Sequence, residues 1–339
     1  MSTHLPRRRL GSNGPEITTV GFGAWAAGGG GWAFSWGPQD DEASVAAILH
    51  ALDKGVNWID TAAVYGLGHS EEVVGRALAK IPAGERPYVF TKCGLNWSGL
   101  DPMTQPKRDS RPSRIREECE ASLRRLGVET IDLYQFHWPD QTGTPVEESW
   151  GAMLKLVDEG KVRWAGVSNY DVALLERCQK VRHLDSLQPP FSMIRRDVGA
   201  NEIPWCAARG TGVIVYSPMQ SGLLTDSFGV ERVKAFAPDD WRRRFEHFQS
   251  PRLEQNLALR DSLRPIATKH GVTVAAVAVA WTLGWRGVTG AIVGARSPEQ
   301  VDGWLAAADL RLDAEDLDAI AASIRETGAG SGPPSPREA

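Results

Sequence analysis

The sequence predicts a single (β/α)8 barrel, the TIM-barrel fold, from three observations. Short β-rich apolar runs alternate with helical stretches along the chain, which is the pattern of βα units around a parallel sheet. The alternation repeats eight times within 339 residues, whereas a doubly wound sheet usually has fewer strands and a second domain. Three longer segments also follow predicted strands, and such segments lie at the ligand-binding face of a barrel.

The first predicted elements are a hairpin and the barrel strands. The turn residues Ser12-Asn13-Gly14 indicate an N-terminal β-hairpin. The apolar runs that follow it predict eight strands. These strands are residues 20–23, 57–60, 88–92, 131–137, 164–168, 186–189, 213–216 and 291–293.

Helices are predicted after each strand, and three of the connections are long. We expect the long segments 24–39, 94–111 and 217–256 at the mouth of the barrel. A further helix is expected at 313–327, where a single domain spanning 1–327 ends. The Gly/Pro/Ser-rich residues 328–339 are predicted to be a disordered tail. The barrel helices are predicted at 41–54, 70–80, 114–126, 146–159, 171–181, 201–209, 274–285 and 298–307.

Composition and charge exclude several classes of protein. Hydrophobic residues make up 42% and charged residues 24%, which is typical of a globular domain with a well-formed core. The net charge of -4 gives no electrostatic reason to expect nucleic acid or an anionic membrane as partner. The chain has neither an export signal nor an apolar stretch of about 18 residues, so we expect a cytoplasmic protein with a small-molecule substrate. No pattern indicates an oligomeric state.

Cysteine and histidine spacing predicts no metal site. The four cysteines lie far apart and form no C-x-x-C pair, which argues against a zinc ribbon, a redox dithiol or a disulfide framework. The seven histidines lack the H-x-H or H-x-x-x-H spacing of a metal site. We therefore expect reduced thiols and no metal.

Ionisable residues end three of the predicted strands. Asp60, Lys92 and His137 should all point into one mouth, and Tyr65 lies five residues beyond Asp60. A lysine cation beside a tyrosine favours the phenolate, so we expect Lys92 to lower the pKa of Tyr65. Asp60 would pair with Lys92. His137 would donate a hydrogen bond to a carbonyl oxygen beside the Tyr65 hydroxyl.

Taken singly, each of these residues has a structural explanation, such as an ion pair or a loop cap, but together on successive strands they favour function. The chain resembles the aldo-keto reductases from Val20-Gly21-Phe22-Gly23 to Gly294-Ala295-Arg296. The resemblance implies a catalytic tetrad of Asp60, Tyr65, Lys92 and His137, with hydride from a reduced nicotinamide and a proton from Tyr65. It rests on Asp60-Thr61-Ala62-Ala63-Val64-Tyr65-Gly66, Thr91-Lys92 and His137-Trp138-Pro139.

The same resemblance implies the cofactor contacts. The nicotinamide carboxamide would be held by Ser168, Asn169 and Gln188, and its ring would stack on Tyr216. The loop with Ser217, Gly222 and Leu223 would wrap the pyrophosphate, where backbone amides near a glycine approach phosphates closely. The adenosine end would fall on Gly294, Arg296 and Gln300.

The adenosine end also indicates which cofactor is used. Ser297 opens a helix with Pro298 at its first position, and a helix start beside Arg296 suits a phosphate. NADPH is therefore favoured over NADH. One departure is Trp304, where members of the family often have asparagine, and this weakens the assignment of adenine contacts. The early Gly21-Phe22-Gly23-Ala24-Trp25-Ala26 fits G-x-G-x-x-A, but the glycines at 28–31 would break the helix of a Rossmann motif.

The sequence indicates the substrate class less specifically than the cofactor. Trp25, Trp32, Trp97 and Trp138 fall on or beside the mouth segments and offer an aromatic wall for an apolar or sugar-like aldehyde or ketone. One alternative is a regulatory protein that keeps this fold and NADPH but acts through a partner, as potassium channel β subunits do. A metal-dependent barrel enzyme would need clustered carboxylates and histidines at several strand ends, and the sequence shows one histidine and one lysine there instead.

Overall fold

The computed structural model describes residues 5–336 and contains a closed barrel of eight parallel strands. Each strand pairs with the next in the chain, and the last pairs with the first. The predicted (β/α)8 barrel is confirmed, with boundaries within three residues of those expected. The strands are Val20–Gly23, Trp58–Asp60, Tyr88–Cys93, Ile131–Phe136, Val162–Ser168, Ser186–Gln188, Gly212–Tyr216 and Val288–Gly294.

Helices surround the barrel as the sequence predicts. Asp40 caps the first by accepting from the Ala43 amide, and Thr273 caps the seventh in the same way through Ala276. All ten residues of the seventh helix are buried, because it is apolar on every face. The barrel helices are Asp41–Asp53, His69–Leu78, Pro112–Leu126, Val146–Asp158, Val172–Val181, Glu202–Arg209, Val274–Leu283 and Pro298–Leu305.

The N-terminal hairpin closes the lower end of the barrel. Its strands, Arg7–Arg9 and Glu16–Thr18, are antiparallel, and they bring Leu10 and Ile17 against the buried Trp58. The Trp58 indole donates to the Thr18 carbonyl at 2.8 Å. A Cβ on Gly21 would lie 2.1 Å from that indole, so glycine is required there by close packing and not by a phosphate.

Elements beyond the predictions occur in the third long segment and after it. The helix Arg252–Ser262 begins inside that segment and the helix Arg264–His270 follows it, where the sequence shows only weak apolar periodicity. Contact with the rest of the chain supplies the missing stabilisation, since Leu253 and Leu259 are buried. The expected C-terminal helix is present as Ala314–Thr327.

The described part of the C-terminal tail, residues 328–336, packs against the barrel, although the sequence predicts disorder from residue 328. Buried Arg196 donates to the carbonyls of Ala329 at 3.0 Å and Gly332 at 3.2 Å. Glycine permits this contact, because a Cβ on Gly330 would lie 1.8 Å from the Ile194 carbonyl oxygen. Carbonyl groups held by one buried guanidinium thus order a segment whose composition alone favours disorder.

Within residues 5–336, no single helix is long and apolar enough to cross a membrane. The helical stretches Arg252–His270 and Val274–Leu283 together have sufficient length and apolar composition, but they are bent by 91° at the break between them. Residues 5–336 also contain no group of three or more His, Cys, Asp or Glu side chains that could hold a metal ion.

Candidate active site

Four ionisable side chains meet at the carboxyl end of the barrel. Asp60 ends the second strand, Lys92 lies near the end of the third, and His137 directly follows the fourth. Tyr65 begins a one-turn 3-10 helix after the second strand. Because parallel strands end at the same face, the sequence spacing brings these residues together.

Lys92 and Asp60 form a buried ion pair beneath the mouth. The Lys92 Nζ lies 2.5 Å from Asp60 Oδ1, and it also donates to the Thr61 carbonyl at 2.9 Å. Burial raises the pKa of the Asp60 carboxyl and lowers the pKa of the Lys92 ammonium, while the pairing opposes both shifts. Removing either partner would therefore leave an uncompensated charge in the core.

The Tyr65 ring lies above this pair. The Lys92 Nζ is 5.2 Å from the ring centroid, and the His137 ring is 5.6 Å from it at 81°. The pKa of Tyr65 is raised well above its usual value, first by burial and then by the negative charge of Asp60 and by Tyr216. The expectation that Lys92 lowers this pKa is wrong for this arrangement, because Asp60 compensates the lysine charge. Tyr65 is therefore a protonated hydroxyl at neutral pH.

His137 is held in its neutral form. Burial lowers its pKa well below the usual value, and the nearby charges of Lys92 and Arg108 lower it further. A neutral imidazole has one ring N–H donor and one acceptor nitrogen. His137 can therefore donate a hydrogen bond at the mouth without adding a charge.

Close backbone packing sets the position of Tyr65. Gly66 has a φ of +60°, and a Cβ there would lie 2.2 Å from the Gly28 carbonyl oxygen. A Cβ on Gly28 would in turn lie 2.7 Å from the Gly66 nitrogen. Both positions thus require glycine, and they join the first long segment directly to the turn that carries Tyr65.

A polar network joins the fifth, sixth and seventh strands beside the tetrad residues. Asn169 Nδ2 donates to the His137 carbonyl at 2.9 Å and to Ser168 Oγ at 3.0 Å. The Tyr216 hydroxyl donates to Asn169 Oδ1 at 2.8 Å. Gln188 Nε2 donates to Asp60 Oδ2 at 2.8 Å. The predicted carboxamide contacts therefore lie together, and their amide groups also position Asp60, His137 and Tyr216.

The loop after the seventh strand has an unusual backbone. Ser217, Gln220 and Ser221 have φ values of 56°, 43° and 54°, and Gly222 follows at 99°. Gln220, Ser221 and Gly222 are consecutive left-handed residues, which are strained unless surrounding structure holds them. Hydrogen bonds within the loop hold them, from the Gln220 amide to the Ser217 carbonyl at 2.8 Å and from the Gly222 amide to the Met219 carbonyl at 3.2 Å. Leu223 is fully buried under this loop, so its side chain anchors the loop and is not available to a ligand.

A cluster of arginines lies at the end of the eighth strand. The Arg296 amide donates to Gln300 Oε1 at 2.8 Å, and the Arg296 Nε donates to Gln39 Oε1 at 2.5 Å. Burial lowers the pKa of Arg296, and the charges of Arg242 and Arg232 lower it further. Gly294 lines the same cavity. Arg242 pairs with Asp240, but Arg232 and Arg296 have no carboxylate partner among the described residues, so the positive charge at this end suits an anion.

One open cavity of about 1290 Å³ connects these parts. It is lined by Tyr65, His137 and the predicted Trp25, Trp32 and Trp138, and it continues past Tyr216 to Arg296. Four predicted residues do not line it, and one of them is Lys92, which lies beneath the Tyr65 ring. Ser168 and Leu223 lie behind its walls, and Trp97 packs beside the Trp32 cluster. Trp304, the departure from the family pattern, lines the cavity but is almost fully buried.

An aromatic cluster over the mouth joins the predicted Trp25 to Trp36 and Trp241, which were not among the predicted site residues. Trp25 stacks on Trp241 with ring centroids 5.2 Å apart, and Trp36 meets Trp241 edge-on at 5.6 Å. The Arg242 guanidinium lies 4.6 Å from the Trp36 ring and pairs with Asp240 at 2.6 Å. The cluster joins the first and third long segments. Trp241 lies some two hundred residues after Trp25 and Trp36 in the chain, so no local pattern in the sequence predicts this contact.

Comparison with known proteins gives consistent results. Residues 19–325 match the model of the aldo/keto reductase family. The chain is 34% identical to the aldo-keto reductase YhdN of Bacillus subtilis over 94% of this chain and 93% of that protein. It is 33% identical to the NADH-specific methylglyoxal reductase of Escherichia coli over 94% and 96%. The structure of the glycerol dehydrogenase AKR11B4 from Gluconobacter oxydans superposes with a TM-score of 0.85 at 40% identity, covering 99% of both chains.

Proposed function

This chain belongs to the aldo/keto reductase family, and we propose that it reduces an aldehyde or ketone to the alcohol with NADPH as cofactor and Tyr65 as proton donor. Family membership makes it a nicotinamide-dependent oxidoreductase acting on carbonyl or alcohol groups. The observation that carries the finer proposal is the convergence of Tyr65, Asp60 and His137 at one wall of the cavity, with Lys92 buried directly beneath them.

The proposed reduction depends on the protonation states at the mouth. When bound, the reduced nicotinamide supplies the hydride. Tyr65 stays protonated because its pKa is raised, so its hydroxyl donates the proton to the carbonyl oxygen as negative charge develops there. Neutral His137 donates a hydrogen bond to the same oxygen and orients it. The Lys92–Asp60 pair supports the Tyr65 ring from below, with the Lys92 Nζ 5.2 Å from the ring centroid.

Two features of the cavity support a dinucleotide cofactor. The loop from Ser217 to Gly222 lines the cavity next to Tyr216, where the family resemblance places the pyrophosphate, and the arginine cluster at Arg296 suits a phosphate at the far end. The cavity reaches from Tyr216 to Arg296, which leaves room for an extended ligand. The cations near Arg296 favour NADPH because its additional phosphate would neutralise part of their repulsion. Ser168, Asn169 and Gln188 would hold the carboxamide, and Gln300 and Gly294 would border the adenosine.

The substrate wall is aromatic. Trp25 stacks on Tyr65 with centroids 5.8 Å apart and an interplanar angle of 17°, and Trp32 and Trp138 line the same cavity. Such a wall suits a small carbonyl compound with an apolar or sugar-like face. The named activities of two relatives, on methylglyoxal and on glycerol, support a small oxygenated substrate.

The direct test follows the loss of reduced-nicotinamide absorbance with a panel of aldehydes, ketones and sugar carbonyls, comparing NADPH with NADH. We expect turnover with several small aldehydes and a lower KM for NADPH. A clear preference for NADH, as in the relative from Escherichia coli, would overturn the NADPH assignment. Tight NADPH binding without turnover across the panel would contradict catalysis and favour a regulatory role.

A further inference from the structure

Arg108 occupies a position at the mouth that the proposed reaction leaves unexplained. It lies in the second long segment, where Lys107–Arg108 pairs antiparallel with Leu95–Asn96. Its side chain is half-buried and lines the cavity that contains Tyr65 and His137. Its guanidinium carbon lies 4.3 Å from the centroid of the Trp138 ring. The short two-stranded sheet therefore holds this charge at the substrate side of the mouth.

The N–H donors of the Arg108 guanidinium have no acceptor among the described residues. Within residues 5–336 it makes no ion pair and no side-chain hydrogen bond, whereas Arg242 pairs with Asp240 at 2.6 Å and Arg252 with Glu246 at 2.7 Å. Stacking on Trp138 uses only the flat face of the group, so the N–H bonds in its plane stay available. A planar fork of N–H donors matches the two oxygens of a carboxylate or phosphate.

The charge of Arg108 also acts at the reacting end of the site. Trp138, beneath the guanidinium, directly follows His137, and the Arg108 charge contributes to the lowered pKa of that histidine. A second cation, Arg195, lines the same cavity, and its charge acts on the Tyr216 hydroxyl. Among the described residues Arg195 has no carboxylate partner either. The two unpaired cations make this end of the cavity attractive to an anion.

We propose that the carbonyl substrate carries a carboxylate or phosphate and that Arg108 is the specificity-determining residue that binds it. The inference rests on the proposed reductase function and names its substrate class. The carbonyl group faces Tyr65 and His137, the body of the substrate lies along the tryptophan wall, and its anionic end accepts hydrogen bonds from Arg108. Arg195 adds positive charge at this end of the cavity, where it also acts on Tyr216.

The test compares substrates that differ only in charge. One pair is para-carboxybenzaldehyde and its methyl ester, and the other is glyceraldehyde phosphate and glyceraldehyde. The kcat/KM for each is measured with saturating reduced cofactor for the wild type, Arg108→Gln and Arg108→Lys. Lys107→Gln is the matched control, because it removes the same charge from the neighbouring, exposed residue of the strand, which does not line the cavity.

We expect the wild type to prefer the anionic member of at least one pair by tenfold or more. Arg108→Gln should lower kcat/KM for that anion by about 10- to 100-fold, as for loss of a charged hydrogen bond, and change the neutral partner by less than about threefold. Arg108→Lys should retain part of the preference, and Lys107→Gln should retain all of it. The pair that responds identifies whether the anion is a carboxylate or a phosphate.

Binding provides a second readout. Titration of para-(hydroxymethyl)benzoate into the complex with oxidised cofactor should quench tryptophan fluorescence in the wild type and in Lys107→Gln, and much less in Arg108→Gln. Equal turnover of charged and neutral aldehydes by the wild type would overturn the Arg108 proposal while the reductase function stands. Equal losses for both members of a pair in Arg108→Gln would also overturn it. No turnover of any of the four compounds would contradict both.

Discussion

The two ends of the barrel are built from the same strands, but the lower end is an apolar closed core and the upper end is an open polar site. On the second strand Trp58 faces the closed lower end and Asp60 the mouth, and on the third strand Phe90 and Lys92 are divided in the same way. Each pair is two residues apart, so both members point inward. The lower layer is apolar and sealed by the hairpin residues Leu10 and Ile17. The upper layer holds a buried ion pair beneath an open cavity.

Two residues apart on one strand, one side chain stabilises the fold and the other belongs to the candidate active site. Burial of large apolar side chains at the lower end is favourable without any partner. Burial of Asp60 and Lys92 is tolerated only because they pair with each other and with Gln188 and the Thr61 carbonyl. Substitutions at the two ends should therefore fail in different assays.

The largest effect should follow Tyr65→Phe at the upper end. This change removes the transferable proton but little volume, so kcat for carbonyl reduction should fall by about 10²- to 10⁴-fold, with Kd for the cofactor and the Tm nearly unchanged. Stopped-flow single-turnover measurements and thermal melts would separate these quantities. Wild-type turnover by this variant would refute the role of Tyr65 and would contradict the assignment of catalysis to the upper end.

Trp58→Ala should give the matching effect at the lower end. It leaves a cavity among Leu10, Ile17 and Phe90 and removes the bond to the Thr18 carbonyl, so the free energy of unfolding should fall by about 3–5 kcal/mol. Trp58→Phe should lose less. Urea unfolding gives the free energy of unfolding and the fraction of Trp58→Ala that is folded. When the activity at low temperature is divided by that fraction, kcat should lie within about threefold of the wild-type value. A variant of normal stability that is inactive would show that the ends are not separable.

A smaller effect is expected at the far end of the cavity from Arg296→Ala. Loss of one of three clustered cations should weaken NADPH by about tenfold through a lost charge-assisted hydrogen bond, and NADH by less than about twofold. Quenching of tryptophan fluorescence measures both dissociation constants. Equal weakening of the two cofactors would show that Arg296 supports the loop through Gln39 and does not bind a phosphate.

The smallest effect concerns pH. The lowered pKa of His137 keeps it neutral and the raised pKa of Tyr65 keeps it protonated, so kcat/KM for reduction should vary by less than about threefold between about pH 6 and 8. Alcohol oxidation needs Tyr65 to accept a proton, and its rate should rise with pH. An acid-side loss of reduction with an apparent pKa near that of free histidine would contradict a neutral His137.

Tertiary packing decided several features that local patterns did not reveal. The sequence predicted a lowered pKa for Tyr65, but burial and Asp60 raise it, and neither is visible in a short window of residues. The contact between Trp25 and Trp241, and the packing of the tail on Arg196, join distant parts of the chain. Ser168, Leu223 and Trp97 were assigned to the site, but their side chains do not line the cavity, because motif membership does not specify which way a side chain faces.

The sequence by itself determined the barrel and the meeting of four ionisable residues at its mouth. The alternation of apolar residues is a local property that locates the strands, and parallel strands all end at the same face. The meeting of Asp60, Lys92 and His137 therefore follows from their positions at strand ends. The sequence also places Arg108 in a long segment beyond the third strand. It does not reveal that Arg108 stacks on Trp138 or that Arg108 has no carboxylate partner among the described residues. Solvation and long-range contacts depend on packing in three dimensions, and they set the proton on Tyr65 and the charge at the mouth.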